Sequence, residues 1–573
     1  MIMRDILKIV MFLCILKQSY SDNIFDEAFE QDLERFVEKT MECRHIPGLT
    51  LSVVKDSKIW AKGYGTADFS NGRMVDNTTL FGIGSVTKSF TMVLLGILLT
   101  EKGLDWDTKV HDILGSDYEF IDEYRSKETT LRDLLSHRTG LARLDIGLFS
   151  GFPKSLSRAQ LSMKMKYLPQ LLPFRDRFLY NNFMFMYLGH IAEKLGEDTW
   201  ENLLKSKVLL PIGMTSTQVL KQPEDVLKDN VAKPYIFNDN EFQNGTLDIY
   251  SIYPAEPAGA ILSTGEDMAK YLRFHLKDGT TEDGKTLLNP ILLFEAYTAT
   301  TPTVDKSFLD SYYLTRPEFP ISETPQGYGH AWFSATYRGY RKIWHSGGLF
   351  SYITQAWFFP DINAGVFASV NGPALAGLPG YALRTIMYYI TDKLIGEDPW
   401  LNETTTCEFP DLWRNITTNS TAPEPFGKLE NPSEYTGIYG SYFLPALTIS
   451  TKPGDDSSLL IQMNRLGGVL HSTQDKDRFL MEITSPWEYM TAFIDGNNNT
   501  VFVNSTFIRN KDGEVRSIEF KYEVKTVYTK DITIFDDQVS GQAAVLKLDT
   551  YCIIKKFIVL IAFSFVVAKI NQH

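Results

Sequence analysis

The stretch 49–64 reads Leu49-Thr50-Leu51-Ser52-Val53-Val54, then Lys55-Asp56-Ser57-Lys58, then Ile59-Trp60-Ala61-Lys62-Gly63-Tyr64. Two runs rich in β-branched and aromatic residues, parted by four polar ones, spell a hairpin. Upstream, Phe25 to Thr40 carries apolar residues at helical spacing among Glu and Asp, and Pro47-Gly48 ends that pattern. Downstream, a helix is expected to start near Val86, run through the apolar stretch Met92 to Leu99 and stop at Gly103. Helical segments continue to about residue 275. Strands return at His330 to Tyr337, Arg341 to Trp344, Tyr352 to Phe359 and Gly365 to Val370. Turns are read at Arg338-Gly339, Ser346-Gly347-Gly348 and Pro360-Asp361-Ile362-Asn363, and a helix at about Leu375 to Leu394 closes the unit. This order predicts a mixed α/β (α+β) fold. An antiparallel sheet would carry both terminal helices on one face, with a helical subdomain in the middle.

The pattern changes at about residue 399. Leu401 to Pro425 is rich in Thr, Asn, Glu and Pro, so 399–430 reads as a linker after a main domain of 22–398. From 431 to 540 short alternating runs are cut by turns such as Pro453-Gly454-Asp455-Asp456 and Asp495-Gly496-Asn497, which predicts a small all-β barrel. No internal repeat is visible. With 44% hydrophobic and 13% aromatic residues in 573, the chain has ample material for a core. A net charge of −13 offers no basic surplus for nucleic acid.

Both ends carry targeting signals to weigh. Arg4 and Lys8 precede the short apolar run Ile9 to Leu16, and small residues stand at Ser19 and Ser21, so residues 1–21 read as a secretory signal. Seven Asn-x-Ser/Thr sequons, at Asn77, Asn244, Asn402, Asn415, Asn419, Asn498 and Asn504, agree with export. Export makes disulfides chemically allowed. Cys14 falls in the signal and Cys552 in the tail, which leaves Cys43 and Cys407 as the expected pair. In the tail, 541–573, the apolar run Phe557 to Ala568 is too short for a comfortable span. Ser540-Gly541 upstream fit a lipid-anchor signal, but the chain ends on polar residues. Soluble secretion is therefore the expectation and membrane attachment the lesser alternative. No cysteine or histidine spacing suggests a metal site.

Three short motifs could carry chemistry. In Ser85-Val86-Thr87-Lys88 at a helix start, i and i+3 share a face, so an amine can reach the hydroxyl it would activate. Gly82 and Gly84 permit a tight turn and close substrate approach there. The same spacing in Ser52-Val53-Val54-Lys55 falls in a strand, where i and i+3 point to opposite faces. Tyr180-Asn181-Asn182 precedes the helical pattern Phe183 to Leu195 and offers a phenol and an amide. Trp344-His345-Ser346-Gly347-Gly348 offers a glycine pair beside a strand, open to a substrate and to an oxyanion. Taken singly, each is as well explained by helix capping, core packing or a glycine turn.

In this order, Ser-x-x-Lys, Tyr-x-Asn and a basic-x-Gly motif resemble the serine β-lactamase and penicillin-binding-protein-like hydrolases. The segments 81–88, 134–141 (Leu-Leu-Ser-His-Arg-Thr-Gly-Leu), 257–264 (Pro-Ala-Gly-Ala-Ile-Leu-Ser-Thr) and 328–333 (Tyr-Gly-His-Ala-Trp-Phe) look like that family's text too. The resemblance covers about residues 30 to 395, and the trailing β module is similar to the lipocalin-like domain of some members. It implies Ser85 as the acylated nucleophile and Lys88 with Tyr180 as the base. Asn182 would orient the substrate, with His345, Gly347 and Gly348 beside it and the Ser85 and Gly348 N–H groups on the oxyanion. No metal or organic cofactor is implied. The expected substrate is a small molecule or peptide with an ester or amide bond, and Leu144 to Tyr167 is the expected pocket wall. β-Lactamases proper usually carry lysine where this chain has His345. The histidine version resembles esterase, amidase and animal members, some of them extracellular matrix proteins, so a non-catalytic matrix or binding role stands as the alternative.

Overall fold

The computed structural model describes residues 25–238, 240–303, 323–373, 378–410, 427–484, 502–521 and 524–537. The N-terminal helix α1 (Glu27–Cys43) starts at Asp26, whose carboxylate accepts the Phe29 N–H. The hairpin follows as β1 (Gly48–Lys55) and β2 (Lys58–Asp68), paired Lys55 against Lys58, with a short β3 (Arg73–Met74) beside β2. Late in the chain come β4 (Glu323–Tyr328), β5 (Phe333–Tyr337), β6 (Tyr340–Leu349), β7 (Tyr352–Phe359) and β8 (Ala364–Val370). These eight make one antiparallel sheet in the order β3-β2-β1-β8-β7-β6-β5-β4. The early and late strands of this domain thus meet inside the sheet, where Leu49 to Lys55 pairs with Val370 to Ala364.

Period-two alternation sorts the sheet's side chains between two cores. Leu49, Leu51 and Val53 share one core with α1 and the last helix α5 (Leu378–Ile395), where Phe36 stacks on Tyr389 with centroids 3.8 Å apart. Both terminal helices therefore lie on one face, as the order of elements predicts. Val54, Phe358 and Phe367 belong to the opposite core, with the central helix α2 (Thr87–Lys102), α3 (Asn182–Gly196) and α4 (Gly265–Leu276). Residues 87–99 of α2 are all buried, so the helix is covered on every side and sits between sheet and helical subdomain. Gly103 ends it in the left-handed conformation with its N–H on Leu99 O.

Two readings need correction. Ser346-Gly347-Gly348 is no turn: β6 runs through Leu349, and the reversal falls at Phe350-Ser351, with Phe350 at φ 54°. The glycines serve close packing instead. A Cβ on Gly347 would sit 1.9 Å from Ile83 O, and one on Gly84 would sit 2.3 Å from Gly348 N. His330 is not in a strand, since Ala331 turns at φ 61° and β5 starts at Phe333. The edge strand β4 carries Pro325 and Gly327, residues that mask a strand in sequence, and the proline, which has no N–H to give a ladder, is accommodated at an edge.

Trp400 to Phe409 packs onto the main domain, with Leu401 and Phe409 buried in the α1/α5 core. Cys407 is bonded to Cys43 across a Cα separation of 5.7 Å. The C-terminal module is a closed eight-stranded barrel: β9 (Gly437–Gly440), β10 (Leu447–Lys452), β11 (Asp455–Met463), β12 (Leu466–Ser472), β13 (Arg478–Ile483), β14 (Phe502–Arg509), β15 (Val515–Lys521) and β16 (Lys525–Lys530). Tyr435, Phe479 and Phe507 meet ring to ring in its core. Among the described residues no helix is long and apolar enough to cross a membrane. The signal segment, the sequons at Asn415, Asn419 and Asn498, and the apolar tail lie outside them. Asn77, Asn244, Asn402 and Asn504 are all exposed.

Candidate active site

The first motif is built by a pinched connection. Phe81-Gly82 pairs with Leu262-Ser263, and Ile83 N–H bonds Ile261 O at 2.9 Å. The chain then turns through Gly84–Val86 into α2. That turn packs against Gly347 and Gly348 of β6 so closely that neither Gly84 nor Gly347 tolerates a side chain. Ser85 is thereby held at the head of a buried helix, facing a hollow that opens to solvent.

Helical spacing puts Lys88 under Ser85, with Nζ 3.0 Å from Oγ. Lys88 also donates to Asn182 Oδ1 at 2.7 Å and to Ala258 O at 2.7 Å. Tyr180 OH donates to Ser85 Oγ at 2.7 Å. Lys88 from the same helix turn and Tyr180 from a distant segment therefore converge on one hydroxyl, with Asn182 one step behind. The two asparagines divide their work. Asn181 caps α3, accepting the Phe183 N–H at 2.9 Å and donating to Leu141 O and Ala142 O, while Asn182 turns into the site.

Burial acts on the base candidates in opposite senses. It holds the Lys88 amine well below the ordinary lysine range, with Asp145 opposing and Arg143 adding to the effect. It pushes the Tyr180 phenol up, so a tyrosinate is disfavoured. A neutral Lys88 has two N–H groups and one lone pair. Asn182 and Ala258 take the two hydrogens, which leaves the lone pair for the Ser85 hydroxyl.

Sequence reasoning missed the support behind this trio. Asn182 Nδ2 donates to Asp145 Oδ1 at 3.0 Å, which fixes the amide so that its oxygen faces Lys88. Arg143 in turn donates to Asp145 Oδ2 from Nε at 2.9 Å and from Nη2 at 2.5 Å. Both residues line the hollow, and no spacing rule marks Arg143-Leu144-Asp145 as a site. The expected wall segment contributes Asp145, Leu148 and Phe149; Ile252, Ala258, Gly259, Leu349 and Phe350 complete the lining. Of the glycine pair, Gly348 lines the hollow and Gly347 packs behind it.

His345 is placed elsewhere. It is fully buried, with Nδ1 2.6 Å from Ser346 O and Nε2 3.1 Å from Tyr328 OH. Burial, and Lys88 nearby, pull it down to about 3, so it is neutral. Nδ1–H donates to the carbonyl and Nε2 accepts from the phenol, which spends both nitrogens inside the protein. It does not line the hollow, and the expected substrate contact through His345 is not what this geometry provides. The segments 134–141, 257–264 and 328–333 all border the site. His137 Nδ1 accepts the Asn181 N–H at 3.1 Å, Ala258 supplies the Lys88 acceptor, and Tyr328 holds His345. Among the described residues no group of His, Cys, Asp and Glu is arranged to hold a metal ion.

Known proteins share this arrangement of chain. A penicillin-binding protein homologue from Pyrococcus abyssi, described as octameric, superposes with a TM-score of 0.53 at 21% identity, covering 87% of this chain and 99% of that one. The chain is 26% identical over 456 residues to an unguisins hydrolase of Aspergillus campestris, 77% of this chain and 80% of the relative. It is 28% identical over 239 residues to gigasin-6 of Magallana gigas, 40% of this chain and 76% of the relative. The beta-lactamase family profile matches residues 33–386, a span that holds Ser85, Lys88, Tyr180, Asn182 and Gly348. A match across more than half the chain, over the residues that form the hollow, makes this protein a member of the beta-lactamase family.

Proposed function

We propose that the protein is a secreted serine hydrolase that cleaves ester or amide bonds through an acyl-enzyme on Ser85. The observation that carries this reading is the convergence of Lys88 Nζ and Tyr180 OH on Ser85 Oγ, at 3.0 and 2.7 Å. Both contacts lie within reach for proton transfer. Lys88 is the base: its lone pair takes the Ser85 proton as Oγ bonds to the substrate carbonyl carbon. Ser85 and Gly348 N–H groups hold the oxyanion, each donor worth about 3–4 kcal/mol of barrier. Tyr180, kept protonated by burial, donates toward Oγ and steadies the developing charge. The bond to the leaving group breaks as that atom receives the proton Lys88 carries. Water then repeats the sequence: it gives a proton to Lys88, attacks the acyl carbon, and Ser85 regains its hydrogen.

The lining suggests the acyl group. Leu148, Phe149, Ile252, Leu349 and Phe350 present an apolar surface, while Arg143 and Asp145 are bonded to each other. An uncharged, apolar acyl part fits that surface better than a carboxylate does. The hydrolase named among the relatives supports a hydrolytic reaction. Four exposed sequons and the Cys43–Cys407 bond support an extracellular setting. The test is labelling of purified protein with a fluorescent fluorophosphonate and a fluorescent penicillin, beside Ser85→Ala. Label on the wild type alone supports the reading. Label on both proteins or on neither defeats it for those chemistries and returns the matrix or binding alternative.

A further inference from the structure

The wall of the hollow is braced from behind by the C-terminal barrel. Asn464 and Arg465 form the tip between β11 and β12 of the barrel, and that tip reaches the pocket wall. The Arg465 guanidinium donates to Phe149 O at 2.6 Å, Leu148 O at 2.8 Å, Ser251 O at 2.7 Å and Asp248 O. Arg465 N–H bonds Ser150 O at 3.4 Å, and Asn464 Nδ2 bonds Gly151 O at 3.1 Å. Four consecutive carbonyls, Leu148 to Gly151, are therefore met from the barrel.

Those carbonyls end a five-residue helix, Ile146–Ser150, that carries no basic residue in its last turn. A helix leaves its last carbonyls unpaired and its C-terminus partly negative, so a cation there satisfies both needs. Here that cation comes from more than three hundred residues downstream. The other two carbonyls, Asp248 and Ser251, lie just before Ile252, which lines the same hollow. Burial pulls Arg465 down to about 10, against the pull of Asp248, so it stays cationic at neutral pH.

We propose that Arg465 is a positioning residue that sets substrate selectivity: one guanidinium ties the Leu148–Phe149 wall to the Ile252 wall and so fixes the width of the acyl pocket. This rests on the hydrolase reading above. A planar fork of five N–H donors can hold four carbonyls at once, and an ammonium with three cannot.

The test uses the full chain as wild type, Arg465→Ala, Arg465→Lys and Asp537→Asn. The last variant alters a separate barrel contact, where Asp537 accepts from Lys164 and Tyr167. Two readouts are taken: kcat/KM on short-chain and long-chain p-nitrophenyl esters, and amide hydrogen exchange by segment. Arg465→Ala should change the long-to-short ratio about tenfold. Arg465→Lys should fall between it and the wild type, and Asp537→Asn should leave the ratio alone. Exchange should quicken over 146–152 and 248–252 in Arg465→Ala and not over 85–102. An equal loss on both esters, or exchange in the two wall segments as slow as in the wild type, overturns the proposal. If the wild type cleaves neither ester, the hydrolase reading fails for esters, and the exchange readout still decides whether Arg465 ties the walls.

Discussion

The chain contains Ser-Val-x-Lys twice, at Ser52-Val53-Val54-Lys55 and at Ser85-Val86-Thr87-Lys88. In β1 the two side chains point to opposite faces of the sheet. Ser52 Oγ is buried without a partner, while Lys55 reaches out to Ile362 O at 2.6 Å. At the head of α2 the same spacing stacks amine beneath hydroxyl, and Tyr180, Asn182 and Ala258 close around them. The tetrapeptide is not the catalyst. The period of the backbone decides whether the pair can meet, and the surrounding elements decide what the meeting is worth.

The largest contrast should come from the two serines. Ser85→Ala should lower kcat/KM on any turned-over ester by about 10⁴-fold or more, while Ser52→Ala stays within about twofold because that hydroxyl touches no reacting atom. Steady-state kinetics on protein with a native circular dichroism spectrum checks both, and equal losses would erase the distinction. The two lysines come next. Lys88→Arg replaces an amine that can be neutral with a guanidinium that stays protonated, and should cost about 10³-fold. Lys55→Arg at the decoy should cost nothing measurable in the same assay.

A pH profile sharpens the account of Lys88. Its amine must be neutral to act, so activity falls as pH drops through its pKa, which burial has moved well below the ordinary range. Arg143 lowers that pKa by repulsion and Asp145 raises it by attraction. Arg143→Gln should therefore move the acid limb of kcat/KM up by about one pH unit, and Asp145→Asn should move it down by a similar amount. Asp145→Asn should also lose rate at every pH, since Asn182 loses its anchor. Limbs that shift together, or not at all, would remove Lys88 from the base role. The smallest effect is on stability. Ser52→Ala deletes an unpartnered buried hydroxyl and should leave the protein unchanged or stabilise it by up to ~1 kcal/mol, read from urea unfolding.

Much of this was legible residue by residue. The hairpin from Leu49 to Tyr64, the buried helix after Ser85, the Cys43–Cys407 pair and the barrel after residue 430 follow from period, turn chemistry and elimination, all local or countable features. The glycines of β6 were legible as glycines and misread as a turn, because glycine marks both a reversal and a close approach. His345 was read as a substrate contact because it stands in a motif; its two nitrogens are spent on Ser346 and Tyr328, which no spacing reveals.

The sequence by itself determined the elements, their order and the types of group brought to the chemistry, because helix and strand periods and capping act over a few residues. The tertiary structure alone decided that His345 turns away from the hollow and that Arg143, Asp145 and a barrel arginine support it. Those outcomes depend on distances between segments tens to hundreds of residues apart, and on burial that strips water from a lysine and an arginine. Neither quantity is written in any short stretch of the chain.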